Sequence, residues 1–384
     1  MDQYRTVEHQ GYFQRLKNSV AGVLIGIILF VVSLIVLWKN EGNLAREKAA
    51  LKEIAAATVP GAIDEATEST IGKPTHLVGE ISSEEQIGDP GYLAPGDYLK
   101  LRRQAEMYQW VEEERSETRE KMGGGSETVK TYTYTTKWQS GRVDSGSFQK
   151  TEGHQNPEPE FGYEDFAVSE SSFGAWNGND VLDHLWPDEQ LELSDELLDP
   201  EMTGGERKGN FIYFRLDPES ITDRVGDERI SWEVLYSDTF SVIAKHETEN
   251  RLSVIVTSNG KEKFLVEPGT KSAAELLASE ANAQSLLAWL LRLLGFILMW
   301  IGLGLTLAPV ATLLSIIPVA ASIGRFAIGV ITFSVALGLS VTTIIISWVA
   351  HNPIVLGVAV AAGVGLGLWW IKNRQSTVTP PPAA

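Results

Sequence analysis

Twenty consecutive residues without a charged side chain, Ser19 to Trp38, form the first apolar block of the chain. At about 1.5 Å rise per residue, a helix of that length covers roughly 30 Å, the thickness of a bilayer's hydrocarbon core. The block is too long for the apolar core of a cleavable signal, and no small-x-small site precedes the helical continuation at Asn40 to Ala57. Residues 19–38 therefore predict a first membrane span. Behind it, NLAREKAALKEIAAA keeps the helical period and turns charged, so the helix continues as a stalk over 39–60 until Pro60-Gly61 ends it. Residues 1–18 form a short polar head, with Asn18 or Ser19 available as a helix cap.

From Thr75 to Pro268 the helical period gives way to alternation. Val, Ile, Tyr, Phe, Trp and Thr fill runs such as THLVGEI, DYLKLRRQAEMYQWVEEE, ETVKTYTYTTKW, RISWEVLY and FSVIAKHE, and Gly, Asn, Asp and Pro separate them. Asn259-Gly260 reads as a hairpin turn. A helix is expected over 180–199, broken in two by Pro187. Residues 61–270 thus predict a β-dominated α+β domain. An amphipathic connecting helix follows at 271–285, and then come spans at 286–308, 326–349 and 353–371. The apolar linker 309–325 is bracketed by Pro309 and Pro318 and reads as interfacial or re-entrant. The tail 372–384 is polar, Pro-rich and expected to be disordered. The fold class is a four-span α-helical membrane protein with a large β-dominated domain between spans one and two.

Charge sharpens the division. The net charge is −18, but residues 1–38 carry +1 and residues 286–384 carry +4, which leaves −23 for the 247 residues between. So acidic a region argues against nucleic acid as a partner. The chain has no Cys, which excludes disulfides and thiolate chemistry. Lys and Arg in short loops set orientation. Arg325 lies between spans two and three, Lys372 and Arg374 follow span four, and the His351-Asn352-Pro353 linker carries neither. Both termini are therefore expected in the cytoplasm and the domain on the extracytoplasmic or lumenal side. Arg292 would sit near the outer interface and snorkel to the headgroups.

Catalytic signatures are sparse. His76, His154, His184 and His246 lack metal-ligand spacing, and no nucleophile elbow, zinc helix or phosphate loop occurs. No catalytic residue, metal or cofactor is expected. In EMYQW, Glu106, Tyr108 and Trp110 share one strand face, which reads either as an aromatic interaction strip or as core packing. Gly22 and Gly26 have the spacing that lets helices approach closely. Gly357, Ala361 and Gly365, with Ala359, Gly363 and Gly367, form two small-residue stripes on the last span.

Several segments carry a resemblance. GYFQRLKNSVAGVLIGIILF leads to Trp38-Lys39-Asn40-Glu41-Gly42, which resembles the W-N-E-G signature of the LUMA (transmembrane protein 43) family with a lysine interposed. LKLRRQAEMYQWVEE resembles that family's Arg-rich strand. YTYTTKWQSGRVDSGSFQKTEGHQNP, which includes His154, Asn156 and Pro157, resembles its Y-x-Y…H-x-N-P segment. VGDERISWEVL and RLLGFILMWIGLGL are similar to its later strand and second span. The resemblance covers essentially the whole chain, here as a bacterial-type member. It implies four spans, a large domain between the first two, and membrane organisation rather than catalysis. In animals it implies the endoplasmic reticulum and inner nuclear membrane, with self-association and links to emerin and lamins; in bacteria it implies the cell membrane.

The function expected from all this is a non-enzymatic membrane scaffold that binds itself, lipid and other membrane or envelope proteins. A channel or transporter component is the alternative. An envelope hydrolase using His154 ranks third.

Overall fold

A computed structural model describes residues 2–121, 124–314 and 318–375. The chain divides into two compact units. The first comprises the residues up to His9, Glu53–Arg119 and Glu127–Glu280; the second comprises Gln10–Lys52, Glu120–Ser126 and the chain from Ala281 onward.

Strand β1 (Asp2–Gln10) opens the chain, and helix α1 (Tyr12–Ala57) follows after Gly11. The span and the stalk are thus one 46-residue helix. In the first unit the main strands are β2 (Pro74–Ser82), β3 (Tyr98–Glu120), β4 (Ser126–Ser140), β5 (Phe211–Phe214), β6 (Glu228–Tyr236), β7 (Asp238–His246) and β8 (Leu265–Pro268). One sheet runs β1-β4-β3-β6-β5, and the other is centred on β2 and β7, with β8 on β7. Only Ser237 separates β6 from β7, so the chain changes sheets across a single residue.

Alternation explains the first sheet. Leu99, Leu101, Arg103, Met107 and Gln109 of β3 are buried on one face, and β3 pairs antiparallel with β6 through Leu101↔Val234 and Arg103↔Trp232. Leu93, Leu101, Ile212, Ile230 and Trp232 form its core. The second sheet has its own core around Leu77, Ile81, Phe173, Trp176 and Val242.

Five expectations change. The helix over 180–199 shrinks to one turn, Asn179–Leu182, and a 3₁₀ turn at Asp195–Leu197. Beyond Pro187 the chain is extended, Glu189–Gln190 pairs with β6, and Leu191 and Leu193 enter the core, a tertiary demand that outweighs helical propensity. The 271–285 segment merges with the second span into α2 (Ala273–Thr306). After α3 (Ala308–Leu314), helix α4 (Pro318–Ala350) begins at Pro318, whose missing N–H costs nothing in a first turn, so the 309–325 linker is largely helical. Helix α5 (Pro353–Gln375) takes the first four residues of the tail; residues 376–384 lie outside the described residues. The head 1–18 is the fifth change. It carries β1, which belongs to the domain's own sheet instead of forming a separate segment.

Among the described residues, four helices are long and apolar enough to cross a membrane: Tyr12–Ala57, Ala273–Thr306, Phe326–Ala350 and Pro353–Trp370. In the second unit, α1 and α2 meet at two glycines. A Cβ on Gly26 would fall 2.6 Å from the Gly302 oxygen, and one on Gly302 would fall 2.8 Å from the Gly26 oxygen. Leu37, Met299 and Ala336 form the buried centre of this unit.

Candidate functional site

The polar residues at the end of the first span converge on the neighbouring helices. Asn40 Nδ2 donates to the Ala288 carbonyl at 3.0 Å. Glu41 accepts from Arg292 Nε at 2.6 Å and Nη2 at 2.8 Å, and its carboxylate is 1 % exposed. The Arg292 guanidinium also lies 4.8 Å from the Trp289 ring. Arg292 therefore does not snorkel to headgroups: the Glu41 carboxylate captures it bidentately. Trp38 stands edge-on to His351 at 5.5 Å, and its carbonyl accepts from Ser347 Oγ at 2.9 Å. A Cβ on Gly42 would fall 2.6 Å from His351 Nε2, so only glycine admits that ring. Each of Trp38, Asn40, Glu41 and Gly42 thus ties α1 to α2 or to the α4–α5 turn.

The strand residues are used internally as well. Met107 and Gln109 point into the core, as the alternation requires. Glu106 pairs with Arg229 (Nε to Oε2, 2.7 Å), whose guanidinium lies 4.5 Å from the Trp138 ring and 4.1 Å from the Phe211 ring. Tyr108 packs on Trp138 at 5.5 Å. Trp110 meets His154 at 4.7 Å, and Tyr134 stacks on the other side of His154 at 4.0 Å. Glu106, Tyr108 and Trp110 are each half-buried in these contacts.

His154 is buried. Its Nδ1 lies 3.1 Å from the Lys150 carbonyl and its Nε2 lies 3.3 Å from the Asp2 carboxylate. Asn156 imitates a strand partner: Oδ1 accepts from Trp110 N at 2.8 Å, and Nδ2 donates to Trp110 O at 3.0 Å. Pro157 packs beside Gly226, whose φ of +98° an L side chain would strain. The H-x-N-P segment therefore clamps the loop onto β3. Tyr134 donates to Glu112 at 2.6 Å; burial first, then that carboxylate, pushes its phenol up to about 12.

Sequence reasoning missed the Asp89–Arg103 pair. Arg103 Nη1 contacts both Asp89 oxygens at 2.9 Å, Trp232 Nε1 donates to Asp89 at 3.0 Å, and Glu164 holds the other side of the guanidinium. The signal was present: Arg103 shares the buried face of Leu99 and Leu101, and a charge at such a position implies a partner. Asp227 and Glu228 were also overlooked. Asp227 accepts from Leu216 N and Arg224 N, and Glu228 from Glu160 N and Phe161 N.

The small-residue stripes split in their use. Gly26 packs within the chain, and Gly22 has Leu305 4.0 Å from its Cβ position. On α5, among the described residues, nothing lies within 4 Å of a Cβ on Gly357, Gly363 or Gly365, and Ala361 is exposed. The surroundings of Gly367 lie outside the described residues. Among the described residues, no cluster of three or more His, Asp or Glu side chains could hold a metal.

The transmembrane protein 43 family model matches residues 107–353. Human transmembrane protein 43 is 29% identical over 372 residues, covering 91% of this chain and 89% of the relative. The Drosophila melanogaster homolog of transmembrane protein 43 is 29% identical over 370 residues, covering 94% and 96%. These relatives are animal proteins and give no support to a bacterial-type member. No solved structure matches. The family model covers more than half of the chain, and the chain is a member of the transmembrane protein 43 family.

Proposed function

We propose that this integral membrane protein is a non-enzymatic scaffold that self-associates in the membrane and presents its strand-rich domain to other membrane or envelope proteins, with both termini cytoplasmic and the domain extracytoplasmic or lumenal. One observation carries the self-association: among the described residues, both small-residue faces of α5 lack a neighbour at Gly357, Gly363 and Gly365, whereas the pair Gly26 and Gly302 on α1 and α2 is in close contact. Small residues support helix association through close backbone approach.

The alternatives have less behind them. Ion-coupled transport usually places an ionisable residue on the ion path, and Arg292 is already paired with Glu41. A hydrolase built on His154 would need an accessible ring, and His154 is buried between Trp110 and Tyr134 with Nδ1 on the Lys150 carbonyl.

Replacing Gly363 and Gly365 together by Ile tests the scaffold reading. The full-length variant is expected to insert normally and to run as a smaller assembly in detergent by light scattering. An unchanged assembly size, or a monomeric wild type, refutes assembly through α5.

A further inference from the structure

A second feature of the membrane unit is a groove of about 400 Å³ beside the α4–α5 turn, within the range of roughly 300–1,000 Å³ typical of small-ligand sites. Leu44, Lys48 and Lys52 of α1 form one wall, and Trp348, His351 and Asn352 form the other. Its depth in the bilayer follows from the chain: α4 and α5 are both candidate spans, so the two residues that join them, His351 and Asn352, lie at a membrane boundary. Trp348, 49% exposed, is the residue type enriched at that level.

The charge of the groove opposes that of the protein. Lys48 and Lys52 stand one helical turn apart on the same face, both are exposed, and neither makes an ion pair among the described residues. Glu41 also lines the groove, but Arg292 already neutralises it. His351 faces inward, with Nδ1 2.8 Å from the Ser347 carbonyl and Nε2 against Gly42. What remains open is a pair of ammonium groups above an apolar edge of Leu44 and Trp348. Lysine ammoniums bind phosphate as point charges.

We infer that this groove binds the headgroup of an anionic phospholipid, with Lys48 and Lys52 holding the phosphate and Trp348 lying along the glycerol end. The groove is a local positive site on a chain of net charge −18, so the selectivity belongs to these two lysines and not to the protein's overall field.

Native mass spectrometry of the full-length protein in detergent, titrated with phosphatidylglycerol or with phosphatidylcholine, reads the preference directly. Wild type is expected to retain phosphatidylglycerol over phosphatidylcholine. Lys48→Gln with Lys52→Gln is expected to reduce that preference about tenfold, with the lipid-free melting temperature unchanged. Lys17→Gln, at the opposite end of α1, is expected to keep it. Equal retention of the two lipids by wild type overturns the inference, as does full preference in the double variant. Inorganic phosphate is the last arm: if it alone raises the melting temperature as much as phosphatidylglycerol does, the groove is a free-phosphate site and the headgroup assignment fails.

Discussion

Glu41 and Arg292 show how a single pair can govern a membrane bundle. Each charge is largely removed from water and held by the other. Removing one partner strands the second, which typically costs about 3–5 kcal/mol, whereas replacing both with apolar groups can be close to neutral. Glu41→Gln and Arg292→Met are therefore each expected to lower the thermal midpoint in detergent sharply. The double variant is expected to regain most of the loss, because the two changes are coupled through one contact. Single variants within about 0.5 kcal/mol of wild type would show that water reaches the pair and screens it. The two residues are separated by 251 positions in the chain, so nothing local in the sequence announces the contact.

At the scale of the element, the second sheet has a built-in pH response. His246 ends β7 and is buried, with Nδ1 2.7 Å from Thr70 Oγ1 and its ring 4.5 Å from Trp176. Burial lowers its pKa below the ordinary 6.5, and Glu247 offsets this only in part. The unfolded chain therefore binds a proton at a higher pH than the native one does. His246 contributes stability that is fully present above about 6.5 and is lost as the pH falls through its lower native value. Melting of the full-length protein, followed by tryptophan fluorescence, is expected to weaken as the pH falls from 8 to 5. His246→Gln should flatten that slope, and an unchanged slope would assign the response to carboxylates instead. Alternation identified β7 as a strand from the sequence. It did not indicate that His246 would be enclosed by Thr70 and Trp176, because those residues come from separate segments.

Membrane sidedness is decided at the scale of the whole molecule. Strand β1 lies before the first span and pairs with β4, which lies after it. Pairing requires both strands on one side of a bilayer, whereas a crossing by α1 puts them on opposite sides. The proposed orientation therefore requires β1 to leave β4 when α1 is inserted. The chain has no Cys, so a Tyr4→Cys, Tyr132→Cys pair reports cleanly: the two rings lie 6.4 Å apart when β1 is docked. In intact membranes this pair is expected to stay uncrosslinked under mild oxidation, while Ser258→Cys is labelled from the domain's side by an impermeant maleimide. A disulfide between positions 4 and 132 in intact membranes would put the head beside the domain and overturn the orientation.

By itself, the sequence determined the elements whose signal is local. Apolar blocks long enough to span a bilayer, the alternation of β3 and the glycine spacing at 22 and 26 depend only on the order of neighbouring residues, and the structure contains each of them. Tertiary structure alone decided which residues meet. It gave Gly26 to Gly302 within one chain, paired Arg292 with Glu41, buried Arg103 against Asp89, and turned the His154-Gln155-Asn156-Pro157 segment into a clamp on Trp110. Local order fixes the face a side chain occupies, through the periods of helix and strand. The identity of its partner depends on contacts between distant segments, which the local pattern does not encode.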